Sequence, residues 1–180
     1  MKIIFLDIDG VLNSKGSMRR AGKRIFNDNP DPIHIGWLNY IVEKTGAVLV
    51  ISSVWRKNCS SSYIWRLLSL LGFKGEVRGS TPHTGDIRGN EIRCWIDRYN
   101  NGKDWNLTDR DKKIEPIESF VILDDDADMG SLVSRLVQCK NESGLTRKEA
   151  EKAVKILNND IIASNGEIVR NGYKRKPIKI

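Results

Sequence analysis

Acidic residues cluster at two places in this sequence, each directly after an apolar run. Asp7 and Asp9 follow Lys2–Leu6, and Asp124, Asp125, Asp126 and Asp128 follow Ser119–Leu123. Ser52 and Ser53 follow a third such run, Ala47–Ile51. Carboxylates brought to one edge repel one another by ~1–4 kcal/mol per close pair at moderate dielectric. A hard divalent cation offsets that repulsion, and magnesium suits the set, binding through one or two carboxylates plus phosphate oxygens and retained water. A carboxylate beside a metal is also a nucleophile toward phosphorus. A second carboxylate two residues on can protonate the leaving oxygen and later activate water. Alternate strand residues share a face, so Asp7 and Asp9 can address one phosphoryl group. A serine hydroxyl and a lysine or arginine would hold the transferring oxygens. Taken singly, Asp7-Ile8-Asp9-Gly10 is equally a strand-ending turn, and 124–128 a loop of solvated aspartates. Both clusters at strand ends in one small domain favour a site.

The elements that must position these groups follow from pattern. Lys2–Leu6, Ala47–Ile51, Glu76–Arg78, Ser119–Leu123 and Leu136–Cys139 read as short strands. Asp31-Pro32 is an N-cap followed by proline at the first helical position, and Gly46 stops that helix. Ile64, Leu67, Leu68 and Leu71 mark a second helix, closed by Gly72. Gly89–Tyr99 forms a third, with Ile92, Trp95, Ile96 and Tyr99 on one face. Thr146-Arg147-Lys148-Glu149 is a capping box opening a fourth, with Ala150, Ala153, Val154 and Leu157 inside. Residues 13–31 and 100–116 read as polar loops, and a hairpin is expected around Asn165-Gly166 ahead of the basic tail Lys174, Arg175, Lys176 and Lys179. Short apolar strands alternating with amphipathic helices give an α/β fold with a mostly parallel sheet. In such sheets ligands sit beyond the carboxyl ends of the strands, at a topological switch point. The expected division is a domain over 1–158 and an extension over 159–180.

Composition narrows the function classes. The chain of 180 residues is 39% hydrophobic and 29% charged, with a mean hydropathy of −0.41, which argues against long disorder. No apolar run approaches the ~20 residues needed to cross a bilayer, and the N-terminus lacks the pattern of a secretion signal. A cytoplasmic protein with no membrane partner, acting as a monomer, is expected. Three cysteines without C-x-x-C spacing fit free thiols in a reducing compartment. With two histidines, serine–histidine catalysis and histidine-rich metal sites are poorly supported. The net charge of +7 suits a polyanion or a phosphorylated substrate, and is equally a route to solubility.

Asp7-Ile8-Asp9-Gly10-Val11 after an apolar strand resembles the first motif of the haloacid dehalogenase (HAD) superfamily of phosphohydrolases. Ser52 resembles its second motif and Asp124-Asp125 its fourth, in the right order, over residues 1 to about 158. The resemblance implies a Rossmann-like sheet, magnesium and transfer through an aspartyl-phosphate. It makes Asp7 the nucleophile, Asp9 the general acid/base, Ser52 and Ser53 phosphoryl-binding, and Asp7, Asp9, Asp124 and Asp125 the magnesium site. For the third motif, a basic residue before a helix, Arg88 is the choice, with Arg93 and Arg56 as rivals. Asp128 would support the metal from behind.

Members of that superfamily often carry a large cap, for which this chain has no room. An uncapped site admits large substrates. The basic stretch Lys15, Arg19, Arg20, Lys23 and Arg24 either tracks a phosphate backbone or is a solvated loop. Ser52-Ser53-Val54-Trp55-Arg56 resembles the HAD domains of multifunctional RNA-repair proteins and their stand-alone, often phage-encoded relatives. Trp55 would stack a base or fill the core, and Arg56 would contact phosphate or brace the acidic loop. What the resemblance implies is a phosphomonoesterase acting on nucleic-acid or nucleotide phosphate ends, in its sharpest form a polynucleotide 3′-phosphatase. The alternatives are a small-molecule or mononucleotide phosphatase and a non-catalytic nucleic-acid-binding module.

Overall fold

Strands buried on both faces read as continuous apolar runs, because helices cover each side of a parallel sheet. The computed structural model describes residues 1–21, 29–102, 115–158, 160–162 and 168–170. In it β1 (Lys2–Leu6), β2 (Val48–Ile51), β3 (Val77–Ser80), β4 (Ser119–Asp124) and β5 (Leu136–Gln138) form one sheet. All pairings are parallel and the order is β3-β2-β1-β4-β5. Four long helices flank it: α2 (Pro32–Thr45), α3 (Ser61–Leu70), α4 (Arg88–Asn100) and α5 (Arg147–Leu157).

Strand alternation decides which helix each side chain meets. Ile4, Leu6, Leu49, Ile51, Val121 and Leu123 pack with α2, α3 and α5. Ile3, Phe5, Val50, Phe120 and Ile122 pack with α4. Phe5 stands edge-on to Trp95 and Phe120, at 5.6 and 5.7 Å between centroids. Each such apolar side chain contributes roughly 1.5–3 kcal/mol on burial. Leu6 is in register with Ile51 on one side and Leu123 on the other. The next row is therefore Asp7, Ser52 and Asp124, which by alternation falls on the α4 side. Strand order reverses between β1 and β4, so this polar row lies at the topological switch point.

Most expected elements are present within a residue or two of their expected ends. Asp31 caps α2 by accepting from the Ile33 N–H at 2.8 Å, and Gly46 ends it at φ 66°. The stretch after Leu12 is less irregular than its composition suggests. It contains α1 (Lys15–Arg20), capped reciprocally by Ser14 and Ser17; a serine in place of the usual glutamate hid that box. Conversely, Thr146 does not cap the α5 backbone, and its hydroxyl turns to the Glu149 carboxylate instead. Two 3-10 segments, Val54–Lys57 and Gly130–Arg135, were not expected either. β6 (Asp160–Ile162) and β7 (Ile168–Arg170) pair antiparallel, forming the arms of the expected hairpin. Its turn at Asn165-Gly166, the basic tail, Lys23, Arg24 and positions 103–114 lie outside the described residues. Among those described, no helix is long and apolar enough to cross a membrane.

The loop after β1 is fastened from below by a buried histidine. His34 Nδ1 donates to the Leu145 carbonyl at 2.8 Å, which leaves Nε2 to accept from the Ser14 hydroxyl at 3.2 Å. Burial holds the His34 pKa below its ordinary value, despite opposing help from the Leu145 carbonyl and Asp31. The unfolded chain then takes up the proton first, at pH ~6.5, so this group's stabilising contribution is full above that pH and falls as acid is added. The buried site carboxylates titrate with the opposite sign, so a difference measurement isolates the histidine. The gap in unfolding free energy between wild type and His34→Gln, read from urea titrations, should narrow between pH 7.5 and pH 5.5 by roughly 1 kcal/mol.

Candidate active site and metal centre

Asp7 stands one residue beyond β1, its N–H still bonded to the Leu123 carbonyl at 2.9 Å. Its Oδ1 accepts from the Ile8 N–H at 2.8 Å, and the nearby Ser53 side chain favours the charged form of the carboxyl. Asp124 ends β4, fully buried, with Oδ1 accepting from the Asp126 N–H at 3.0 Å. Arg88, the first residue of α4, sends its guanidinium between the two. Nη1 lies 3.1 Å from Asp7 Oδ1 and 3.0 Å from Asp124 Oδ2. Neither approach has hydrogen-bond direction, so the buried Asp124 Oδ2 is left without a hydrogen-bond partner. Ser52 Oγ is likewise buried and unpartnered.

Burial raises the Asp7 pKa above the usual carboxylate range, against the pull of Arg88, Ser53 and the Ile8 N–H. For Asp124, burial and then the neighbouring Asp7 charge raise it to about 7, with Arg88 opposing. Two carboxyls pushed toward neutrality beside one arginine are short of positive charge. Asp7, Asp124 and Asp125 each offer an oxygen, and these atoms lie within 4.8 Å of one another. All are hard oxygen donors and one is an orphaned buried atom, which fits a divalent cation. The Asp9 carboxylate is outside this cluster. Its Oδ1 accepts from Asn13 Nδ2 at 2.7 Å and its Oδ2 from the Trp55 indole at 3.0 Å.

Close backbone approach makes the cluster possible. Gly10 has φ 72° and a Cβ there would fall 2.3 Å from Asp125 Cγ. A Cβ on Gly89 would fall 2.1 Å from the Met129 carbonyl oxygen. Glycine at these two points lets the acidic loop sit against both the β1 loop and the start of α4. Asp128 seals the second contact, its Oδ2 accepting from the Arg88 N–H at 3.1 Å. Asn141 holds Asp125 Oδ2 at 3.0 Å from the other side.

The remaining candidates separate by partner. Arg93 turns outward to Ser131. Arg56 bonds the carbonyls of Ser52 and Ser53 and pairs with Glu91 on α4, both side chains about 95% buried. Arg20 is committed to Asp31, while Arg19 is exposed on α1. Lys15, at the start of that helix, donates its N–H to the Asn141 carbonyl at 3.0 Å. Sequence reasoning missed four members of this assembly: Asn13, Glu91, Asn141 and His83. Glu91 gathers Arg56, the Thr84 N–H at 2.8 Å and the His83 ring at 3.3 Å. Its position on the apolar face of α4, among Ile92 and Trp95, was the available signal.

A family model described as the HAD domain in Swiss Army Knife RNA repair proteins matches residues 3–150. No curated protein and no solved structure gives a significant match.

Removing one partner of a buried ion pair leaves the other charged and uncompensated, at about 3–5 kcal/mol. Glu91→Ala should therefore lose that order of unfolding free energy in urea, far more than removal of the exposed Glu151 that pairs with Arg147.

Proposed function

The chain belongs to the family of HAD domains found in Swiss Army Knife RNA repair proteins, and on that premise we propose that it is a magnesium-dependent phosphomonoesterase acting on nucleic-acid or nucleotide phosphate ends. The observation that carries the reading is the Arg88 guanidinium set between Asp7 and Asp124 beside the three-carboxylate cluster. That arrangement supports a nucleophile's role for one carboxylate, set among groups suited to a phosphoryl dianion.

Asp7, Asp124 and Asp125 would hold the metal, which when bound neutralises phosphate charge and screens the carboxylates from each other. Asp7 attacks phosphorus and carries it as an aspartyl-phosphate. Arg88 and the unpartnered Ser52 hydroxyl hold the transferring oxygens, and Ser53 keeps Asp7 oriented. Asp9 gives the leaving oxygen its proton and then takes one from the attacking water. A large substrate is supported by the absence of room for a cap and by the net charge of +7. It is supported also by α1, whose first residue, Lys15, bonds through its N–H to Asn141, the residue that holds Asp125, and pairs its ammonium with Glu142, while Arg19 one turn on is exposed. Arg56 is a brace in this reading, not a phosphate ligand.

Phosphate release from a 3′-phosphorylated oligonucleotide and its 3′-mononucleotide, with magnesium, tests the proposal. Asp7→Asn should abolish release while the circular dichroism spectrum stays native. The oligonucleotide should be preferred, with a preference that fades as salt rises. Retained turnover by Asp7→Asn would sink the covalent mechanism, and preference for the mononucleotide would make the substrate a small molecule.

Metal ligands must be deprotonated to bind. Magnesium should accordingly raise the thermal midpoint, more at pH 8 than at pH 6, given the Asp124 pKa of about 7. Asp124→Asn should lose the shift, which differential scanning fluorimetry reads directly.

A further inference from the structure

The side chain that reaches Asp9 from the loop after the neighbouring strand, β2, is Trp55. It lies in the 3-10 segment Val54–Lys57, 46 residues along the chain, and its indole N–H bonds Asp9 Oδ2 at 3.0 Å. Asn13 Nδ2 bonds the other oxygen at 2.7 Å. Asn13 is itself fixed, buried, with its Oδ1 accepting from the Gly10 N–H at 3.0 Å. The segment that carries the indole is held as well: Ser53 Oγ accepts from the Trp55 backbone N–H, the ring packs partly buried against the core, and Arg56 next door is pinned to the Ser52 and Ser53 carbonyls and to Glu91. Asp9 is thus held at both oxygens by two neutral donors on rigid supports.

We propose that Trp55 is a positioning residue that aims the Asp9 carboxyl for proton transfer, rather than a platform for a base. The inference rests on the reading of Asp9 as general acid/base. In that step an Asp7 oxygen bonds phosphorus as the bond to the leaving oxygen breaks, and that oxygen takes the proton from Asp9. Water then attacks phosphorus, giving its proton to Asp9, and the bond to Asp7 breaks to release phosphate. Each carboxyl oxygen keeps a second lone-pair direction after accepting one hydrogen bond, so the indole fixes direction without blocking the proton's site. General acid catalysis contributes ~10²–10⁴-fold, and it is large only where the leaving oxygen is a poor anion. A sugar alkoxide is one, whereas p-nitrophenolate leaves readily without a proton.

The test compares a 3′-phosphorylated oligonucleotide with p-nitrophenyl phosphate in wild type, Trp55→Phe, Asp9→Asn and the double variant. Phenylalanine keeps an aromatic ring for stacking, though a smaller one, and removes the N–H. Trp55→Phe should lose about tenfold in kcat/KM on the oligonucleotide, a fraction of the full acid contribution, with KM unchanged, and much less in kcat/KM on p-nitrophenyl phosphate. That ratio reports the step in which the leaving oxygen departs, whereas hydrolysis of the aspartyl-phosphate is common to both substrates. In the Asp9→Asn background it should cost nothing further, because the two act as one unit. Equal losses in kcat/KM on both substrates, a rise in KM for the oligonucleotide, or an added loss beyond Asp9→Asn would overturn the proposal. Wild type inactive on both substrates would instead overturn the phosphatase reading itself. Should Trp55→Phe fail to fold, the indole N–H signals of the wild-type protein carry the test. One of the five tryptophans should shift strongly on Asp9→Asn, and no shift would overturn the proposal.

Discussion

Everything at the switch point depends on one electrostatic imbalance. Asp7 and Asp124 are brought side by side by the β1–β4 register and buried there, with Arg88 as the only cation reaching both among the described residues. Burying a charge is costly unless it is paired, and one guanidinium cannot pair two carboxylates well. The orphaned Asp124 Oδ2 and the raised pKa values of both aspartates are the signature of that shortfall. A divalent cation would enter a place where positive charge is missing and oxygen donors are already converged, and its charge would let a phosphate dianion follow.

Holding such a cluster together needs supports that are not themselves charged toward it. Gly10 and Gly89 remove side chains where the acidic loop approaches the backbone. Asn141 and the Arg88 and Ile8 N–H groups supply neutral donors. A second buried ion pairing, Arg56 with Glu91, is placed behind the site, where it ties the β2 loop to α4 and leaves no net charge. The arginine that faces the carboxylates and the arginine that braces the frame therefore differ by which acid each meets. Arg88 meets two aspartates at strand ends, while Arg56 meets a glutamate on a helix face.

The sheet and the acids were legible because their signals are local. Continuous apolar runs ending in Asp7, Ser52 and Asp124 announce buried strands and their carboxyl ends, and strand alternation puts the three on one side. What was not legible was set by tertiary contacts. Ser14–Ser17 capping escapes a search for serine with glutamate, so α1 read as loop. Arg56 and Arg88 are alike in sequence as basic residues near a helix start, and only the pairing of Glu91 tells them apart. Trp55 offered two ordinary fates, core or stacking surface; its hydrogen bond to Asp9 spans 46 residues and leaves no trace in local pattern.

That contact also explains why an indole suits the place. A lysine or arginine reaching Asp9 would favour its charged form and add a second cation beside Arg88, weakening the shortage of positive charge that a divalent cation would offset. A serine or amide could bond the same oxygen, yet each turns about its own bonds and would need further fixing. Trp55 brings one donor on a flat ring whose direction is set by packing, at small electrostatic cost. Its backbone is held by Ser53 and its neighbour Arg56 by α4. In the proposed mechanism the acid that gives and takes a proton is thereby located by the same segment that locates the serines, so a shift of that segment would move proton donor and phosphate-binding hydroxyl together and keep their spacing.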